Sequence, residues 1–465
     1  MPFLSTISQR LRGAVRTCAR RRWVAALTAA LAIFAVLCHA DPVSAGDAEP
    51  GRPNILLIVS DDQRHDTIAA LGNPEIRTPN LDRLVERGFH FHNAYCMGSM
   101  IPAVCLPSRT MLITGRSLWR IPENPRAAQP PEGVALLPSL LNAAGYATLH
   151  CGKANNSCTF GNAAFTTNIS TQGRTPDSAT QHAEEVLKYL AAHDASRPFF
   201  IYLAPPVPHD PRTAPAEYVR MYEPAQLSLS KNFLPEHPFD NGELKVRDEL
   251  LAAHPRTPDA MRQHLADYYA TITHLDHEVG RIVAELDRRG LLANTVIIFT
   301  SDQGLAIGGR HGLMGKQNLY EHVKPPLVFA GPGIPHGQSD ALVYLFDLFP
   351  TICQLAGAAV PPEIEGQSLL PVIHGEQPRV RDTLLGAYRA CQRMIRDERW
   401  KLIQYNAGGV KNTQLFDLAH DPDELHNLAL EPAQQNERAR LEKLMTEARQ
   451  HYGDPVDFDA PPGGR

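Results

Sequence analysis

Two stretches constrain the fold more than any others: Asn54–Asp62, NILLIVSDD, and Thr295–Gly304, TVIIFTSDQG. Each is apolar at nearly every position and then turns abruptly acidic. A strand with one wet face alternates polar and apolar residues. A short run with no alternation is buried on both faces, as in a parallel sheet covered by helices. Three further runs read the same way: Pro198–His209, Tyr146–Lys153 and Pro326–Gly333. Between them, Pro258–Arg289 carries Met261, Leu265, Tyr268, Ile272, Leu275, Val279, Ile282 and Leu286 at three-to-four spacing. That spacing buries one face of a helix, which Gly290 ends. Tyr268 and Tyr269 read as core and flank. Strands alternating with helices predict an α/β fold with a large, mostly parallel sheet flanked by helices.

The pattern changes along the chain. His209–Pro258 is rich in Pro, His and charge with weak periodicity, and a connection this long is lid-like. After about Gly375 the stretches become short and alternating, as in Arg393–Tyr405 and Thr413–Leu418, followed by a helix over about Glu431–His451. This predicts a catalytic domain over 46–375 and a smaller antiparallel-sheet subdomain over 376–465. Residues 1–45 read as an export signal: Arg10, Arg12, Arg16 and Arg20–Arg22 precede the apolar run Trp23–Leu37, and Val43-Ser44-Ala45 is a small-residue cleavage site. The apolar run is short for a membrane span, which needs roughly 20 residues. An exported chain without stable membrane insertion is expected, in the periplasm or secreted.

The whole chain has net charge −5, and removal of residues 1–45 leaves about −10. No basic block remains, which argues against nucleic acid as a partner. Six cysteines remain beyond the signal: Cys96, Cys105, Cys151, Cys158, Cys353 and Cys391. Their spacing is not that of a zinc module. Export permits disulfides, and Cys151–Cys158 is one possible pair.

Ligands of open α/β sheets bind at the carboxyl ends of the strands. Here those ends carry Asp61-Asp62, Asp302-Gln303, Lys153 and His209. Single acids there often cap helices. Three carboxylates and an amide oxygen together suit a hard divalent cation, calcium or magnesium. The segment Ala103–Arg116, AVCLPSRTMLITGR, adds a cysteine. Pro107 suits a first helical turn and Gly115 a helix end. Cys105 then lies at a helix N-terminus, with Arg109 one turn on and facing the same side. Taken alone it is a buried structural cysteine or a thiol of lowered pKa.

Cys105-Leu106-Pro107-Ser108-Arg109 with Thr114-Gly115-Arg116 resembles the signature of type I, formylglycine-dependent sulfatases. The resemblance runs from Pro53-Asn54 to Leu415–Ala429. It implies an alkaline-phosphatase-like fold with a C-terminal antiparallel subdomain. It also implies oxidation of Cys105 to formylglycine by a maturation enzyme, and hydration to a gem-diol. One hydroxyl of the diol attacks sulfur, and the other expels sulfate. By the same resemblance Asp61, Asp62, Asp302, Gln303 and modified Cys105 bind one calcium ion, with Arg109 holding the diol. His209, Lys153 and Lys316 contact sulfate, and His311 lines the substrate pocket.

Two positions depart from the family pattern. Gly152-Lys153-Ala154-Asn155 stands where Gly-Lys-Trp-His is usual, and asparagine can hold a hydroxyl but accepts no proton. Gln303 replaces the usual Asn or His. The expected function is an exported sulfatase acting on a sulfated carbohydrate or a small organic sulfate, similar to iduronate- and choline-sulfatase-like members. Phosphoester or phosphonate ester hydrolysis on the same scaffold, and non-catalytic binding of sulfated glycan, are the alternatives.

Overall fold

The computed structural model describes residues 52–154, 157–171 and 173–458. Residues 1–45, which the sequence predicts to be an export signal, and Asn155 lie outside the described residues. Among these residues no helix is long and apolar enough to cross a membrane.

The main sheet has eight strands: β1 (Asn54–Ser60), β2 (Phe89–Tyr95), β4 (Ala147–Lys153), β5 (Thr167–Thr171), β6 (Phe199–Ala204), β7 (Thr295–Ser301), β8 (Leu327–Ala330) and β9 (Gly337–Tyr344). Their order is β5-β4-β6-β1-β7-β8-β2-β9. Every pairing is parallel except those of β8, which runs antiparallel to both β7 and β2. The predicted strand at Pro326–Gly333 is therefore present but reversed. The four strands expected to end at the site, β4, β6, β1 and β7, are consecutive neighbours.

β1 explains why an unbroken apolar run was required. Ile55, Leu57 and Val59 face a core that includes Leu112, Ile113, Phe349 and Ile352. Leu56 and Ile58 face the opposite core, with Val186, Leu190, Val279 and Ile282. Both cores exclude water, so every residue of the strand gains by being apolar. The helix Pro258–Arg288 supplies much of the second core, from Leu275 to Leu286. The Thr257 side chain accepts from the Ala260 N–H at its start. Gly290, with φ +69°, follows its end.

A second sheet has the order β13-β12-β11-β10-β3, with β3 (Gly98–Ser99), β10 (Leu384–Tyr388), β11 (Gln392–Arg396), β12 (Trp400–Ala407) and β13 (Val410–Asp417). β10 to β13 are antiparallel. β3 pairs parallel with β10 and comes from the segment just before Cys105, so the second sheet is completed by the first half of the chain. The helix Gln435–Tyr452 packs on it through Leu441 and Met445. All six cysteines are free thiols, Cys151 and Cys158 included.

Candidate active site

The carboxyl ends of β1 and β7 meet directly. β1 and β7 pair through Ser60 and Ser301, which places the next residues, Asp61-Asp62 and Asp302-Gln303, side by side. The Asp62 N–H donates to Asp302 Oδ1 at 3.1 Å. Asp62 has φ +69°, a left-handed conformation that Asp tolerates better than most residues. The strain is held from outside: the Tyr268 hydroxyl donates to the Asp62 carbonyl at 2.7 Å and accepts the Arg64 N–H at 2.9 Å.

The helix Cys105–Thr114 points its first residue at these acids, and Gly115 ends it with φ +64°. The Cys105 Sγ donates to Asp61 Oδ1 at 3.2 Å and lies 3.7 Å from Asp62 Oδ1. One turn on, Arg109 Nε donates to Asp302 Oδ2 at 2.8 Å, with both side chains buried. Its two terminal nitrogens are buried without a partner. The Ser108 hydroxyl donates to the Asp302 carbonyl at 2.7 Å and fastens the helix to the end of β7.

Two lysines and a histidine close the cluster. Lys153, the last residue of β4, donates to Asp61 Oδ2. Lys316 donates to Asp62 Oδ2 at 2.6 Å and to Cys105 Sγ at 3.4 Å. His209 Nε2 lies 3.6 Å from Asp62 Oδ2, while its Nδ1 lies 2.8 Å from the Asp210 carbonyl. Ligand atoms of Asp61, Asp62, Cys105 and His209 all fall within 4.8 Å of one another. Burial alone would raise the Asp61 carboxyl, but the charges of Lys153, His209, Arg109 and Lys316 outweigh it and hold it well below its ordinary range. Burial, with the charges of Asp61 and Asp302, pushes Asp62 upward against the pull of Lys316 and His209. Two carboxylates this close repel each other and favour a shared cation.

The Cys105 thiol is pushed well above its ordinary range by burial and by the charges of Asp302 and Asp61. The helix N-terminus does not lower it, because burial, and then the charges of Asp302 and Asp61, act the other way. As cysteine, the residue is a poor nucleophile.

The structure thus brings together Asp61, Asp62, Cys105, Arg109, Lys153, His209, Asp302 and Lys316. Gln303 follows Asp302, and its Oε1 is buried with no hydrogen-bond partner. His311 is not in the cluster. It stacks on Tyr320 with ring centroids 3.9 Å apart, its Nε2 3.1 Å from the Glu424 carbonyl. Sequence reasoning missed Arg174, whose Nη2 lies 3.7 Å from Asp61 Oδ2, and Asp248, which accepts from Gln317 at 2.8 Å and lies 3.9 Å from Lys316 Nζ. Neither stands in a local pattern that marks it. Tyr268 carried the opposite signal, since its helical spacing reads as core. A cleft of about 1150 Å³ lined by His65, Asp66, His322 and Trp400, among others, contains none of the clustered residues.

Comparison with known families agrees with this geometry. The sulfatase family model matches residues 53–358. The chain belongs to the sulfatase family. A second model, the C-terminal part of N-sulphoglucosamine sulphohydrolase, matches residues 309–451 of this sulfatase. It is 25% identical to an N-acetylglucosamine-6-O-sulfatase of Bacteroides thetaiotaomicron, over 87% of this chain and 88% of the relative. It is 28% identical to a choline-sulfatase of Rhizobium meliloti, over 88% of each. Solved structures share the fold. One, in complex with its substrate D-glucosamine-2-N,6-O-disulfate, gives a TM-score of 0.73 at 22% identity, covering 88% of this chain and 99% of that one. The phosphonate monoester hydrolase of Agrobacterium radiobacter gives 0.73 at 23%, covering 86% and 96%. Membership makes the chain a sulfuric ester hydrolase.

Proposed function

We propose that this sulfatase releases sulfate from a sulfated carbohydrate, using Cys105 as formylglycine and one bound calcium ion. The observation that carries the reading is the position of Cys105, against Asp61, Asp62 and Lys316, with Arg109 one turn further along the helix and bound to Asp302. A residue so placed makes sense once oxidised, when its aldehyde hydrate supplies a hydroxyl nucleophile. Export follows from the N-terminal segment, and the carbohydrate from the sulfated sugars named for the relatives.

The residues present fit a hard cation. Asp61, Asp62 and Asp302 offer carboxylate oxygens, and Gln303 offers a buried oxygen with no other partner. Calcium held there would polarise a sulfuryl oxygen and favour the ionised nucleophile. Arg109 fixes Asp302 through Nε and keeps its two terminal nitrogens for a hydroxyl on residue 105. Asp302 would take the proton of the attacking hydroxyl. Lys153 and Lys316 bring positive charge to the oxygens that gain charge in the transition state, where water is excluded. His209, steadied at Nδ1 by the Asp210 carbonyl, presents Nε2 to the leaving oxygen.

Phosphonate ester hydrolysis is the second reading, since a phosphonate monoester hydrolase shares the fold. Two measurements test the proposal together. A peptide mass spectrum over Cys105, from protein produced with a formylglycine-generating enzyme, should show the aldehyde. The same protein should release sulfate from sugar sulfates faster than phosphate or phosphonate from matching esters. An unmodified cysteine beside a converted control sulfatase overturns the mechanism, and a preference for phosphorus esters overturns the substrate class.

A further inference from the structure

Arg212 lies in the segment after His209 and makes no hydrogen bond or ion pair to any described residue. Its Nε is buried and unpartnered. Its guanidinium lies 5.8 Å from the centroid of Tyr268, the residue that holds the Asp62 backbone. Asp267, which accepts from Gln263 at 2.9 Å, feels its charge, and Asp210, Asp62 and Asp248 act on it in turn. All four are already engaged. Asp210 is bound bidentately by Arg247 at 2.5 and 2.9 Å. Asp62 is taken by Lys316, and Asp248 by Gln317 at 2.8 Å and Arg247 at 3.2 Å. Burial around Nε pulls the guanidinium below its ordinary range, while the residue as a whole is half-buried.

An arginine with a buried, unpaired Nε and terminal nitrogens open to solvent offers a fork of donors to an incoming anion. The neighbouring cations fix which anion is missing. Lys153, Lys316 and His209 stand against Asp61 and Asp62, at the place proposed for the reacting sulfate, while Arg212 lies over the Tyr268 ring. Resting on the sulfatase reading above, we propose that Arg212 binds a second anionic group of the substrate, a sulfate or carboxylate beside the one being cleaved. This makes Arg212 a specificity determinant, and the preferred substrate a carbohydrate with at least two negative groups. A planar fork of donors suits a tetrahedral sulfate or a carboxylate equally.

The test compares three esters on converted wild-type enzyme and on Arg212→Met and Arg212→Lys: 4-nitrophenyl sulfate, N-acetylglucosamine 6-sulfate and glucosamine-2-N,6-O-disulfate. Each sugar is also measured as a competitor of 4-nitrophenyl sulfate turnover. The wild type is expected to bind or turn over the disulfate better than either monosulfate. R212M should weaken the disulfate about 10- to 100-fold, mainly through KM or the inhibition constant, with the monosulfates changed less than threefold. R212K should recover part of the loss. No preference in the wild type overturns the inference while 4-nitrophenyl sulfate hydrolysis keeps the sulfatase reading. Equal loss on all three esters assigns Arg212 to support of Tyr268 and overturns it too. Failure of the wild type on all three, with residue 105 shown to be aldehyde, removes the sulfatase reading and this inference with it.

Discussion

The Lys316 ammonium sits 2.6 Å from Asp62 Oδ2 and 2.8 Å from Asp62 Oδ1, and the same nitrogen lies 3.4 Å from Cys105 Sγ. One side chain, far from the others in sequence, ties the metal-type carboxylate to the residue expected to become the nucleophile. Lys316 is held well above its ordinary range: burial lowers it, and the charges of Asp62, Cys105, Asp248 and Asp61 more than reverse that.

Lys316→Ala should therefore lower kcat by about 10²- to 10³-fold, the loss typical of one charge-stabilising donor in a closed site. Steady-state kinetics on a simple sulfate ester measures it. A drop below tenfold would mean that Lys316 only neutralises Asp62.

Calcium should stabilise the folded protein as well as support turnover, because Asp61 and Asp62 repel each other within the cluster. At a hundredfold excess over Kd the gain is about 2.7 kcal/mol. Thermal unfolding with EDTA and then with added calcium reads it, and Asp61→Asn should abolish most of the response. A Tm that ignores both additions contradicts the proposed site.

Tyr268→Phe should cost about 1–3 kcal/mol of stability, since it leaves the Asp62 carbonyl and the Arg64 N–H without their partner. It should also weaken calcium, because Asp62 is then free to leave its left-handed conformation. Denaturant unfolding and a calcium titration of the variant check the two effects separately.

Stability should fall as pH drops below about 6.5. Burial pushes His65 and His311 down to about 3 and His150 down to about 4. The unfolded chain takes up protons on these imidazoles near pH 6.5, whereas the native state resists until about pH 4 or lower. Each histidine then contributes a slope of about 1.4 kcal/mol per pH unit in that window, and none above it. His311→Gln should reduce the slope by about 1.4 kcal/mol per pH unit, measured by denaturant unfolding between pH 4.5 and 7. An unchanged slope would mean that His311 is protonated in the native state.

The amino-acid order determined the main strands and the residues at their ends, for a local reason. A strand buried on both faces must be apolar throughout, so β1, β4, β6 and β7 are visible as runs, and the polar residue that ends each run is visible with it. The helix at Cys105 was equally legible, from a proline suited to its first turn and a glycine that ends it. β2, with the sequence Phe-His-Phe-His-Asn-Ala-Tyr, was not legible, because its polar residues break the run. β5 and β9 are partly exposed and lack the signal. The reversal of β8 depends on its neighbours and leaves no mark on its own residues. His311 shows the same limit: it stands five residues before Lys316, yet it stacks into an aromatic cluster beside the second sheet. Tertiary structure alone decided that Lys316 reaches Cys105 across 211 residues, that Tyr268 holds Asp62 across 206, and that Arg212 keeps a buried Nε without a hydrogen-bond partner. Each is a meeting of side chains from distant elements. The energy of such a meeting comes from burial and charge in the folded state, which no local pattern encodes.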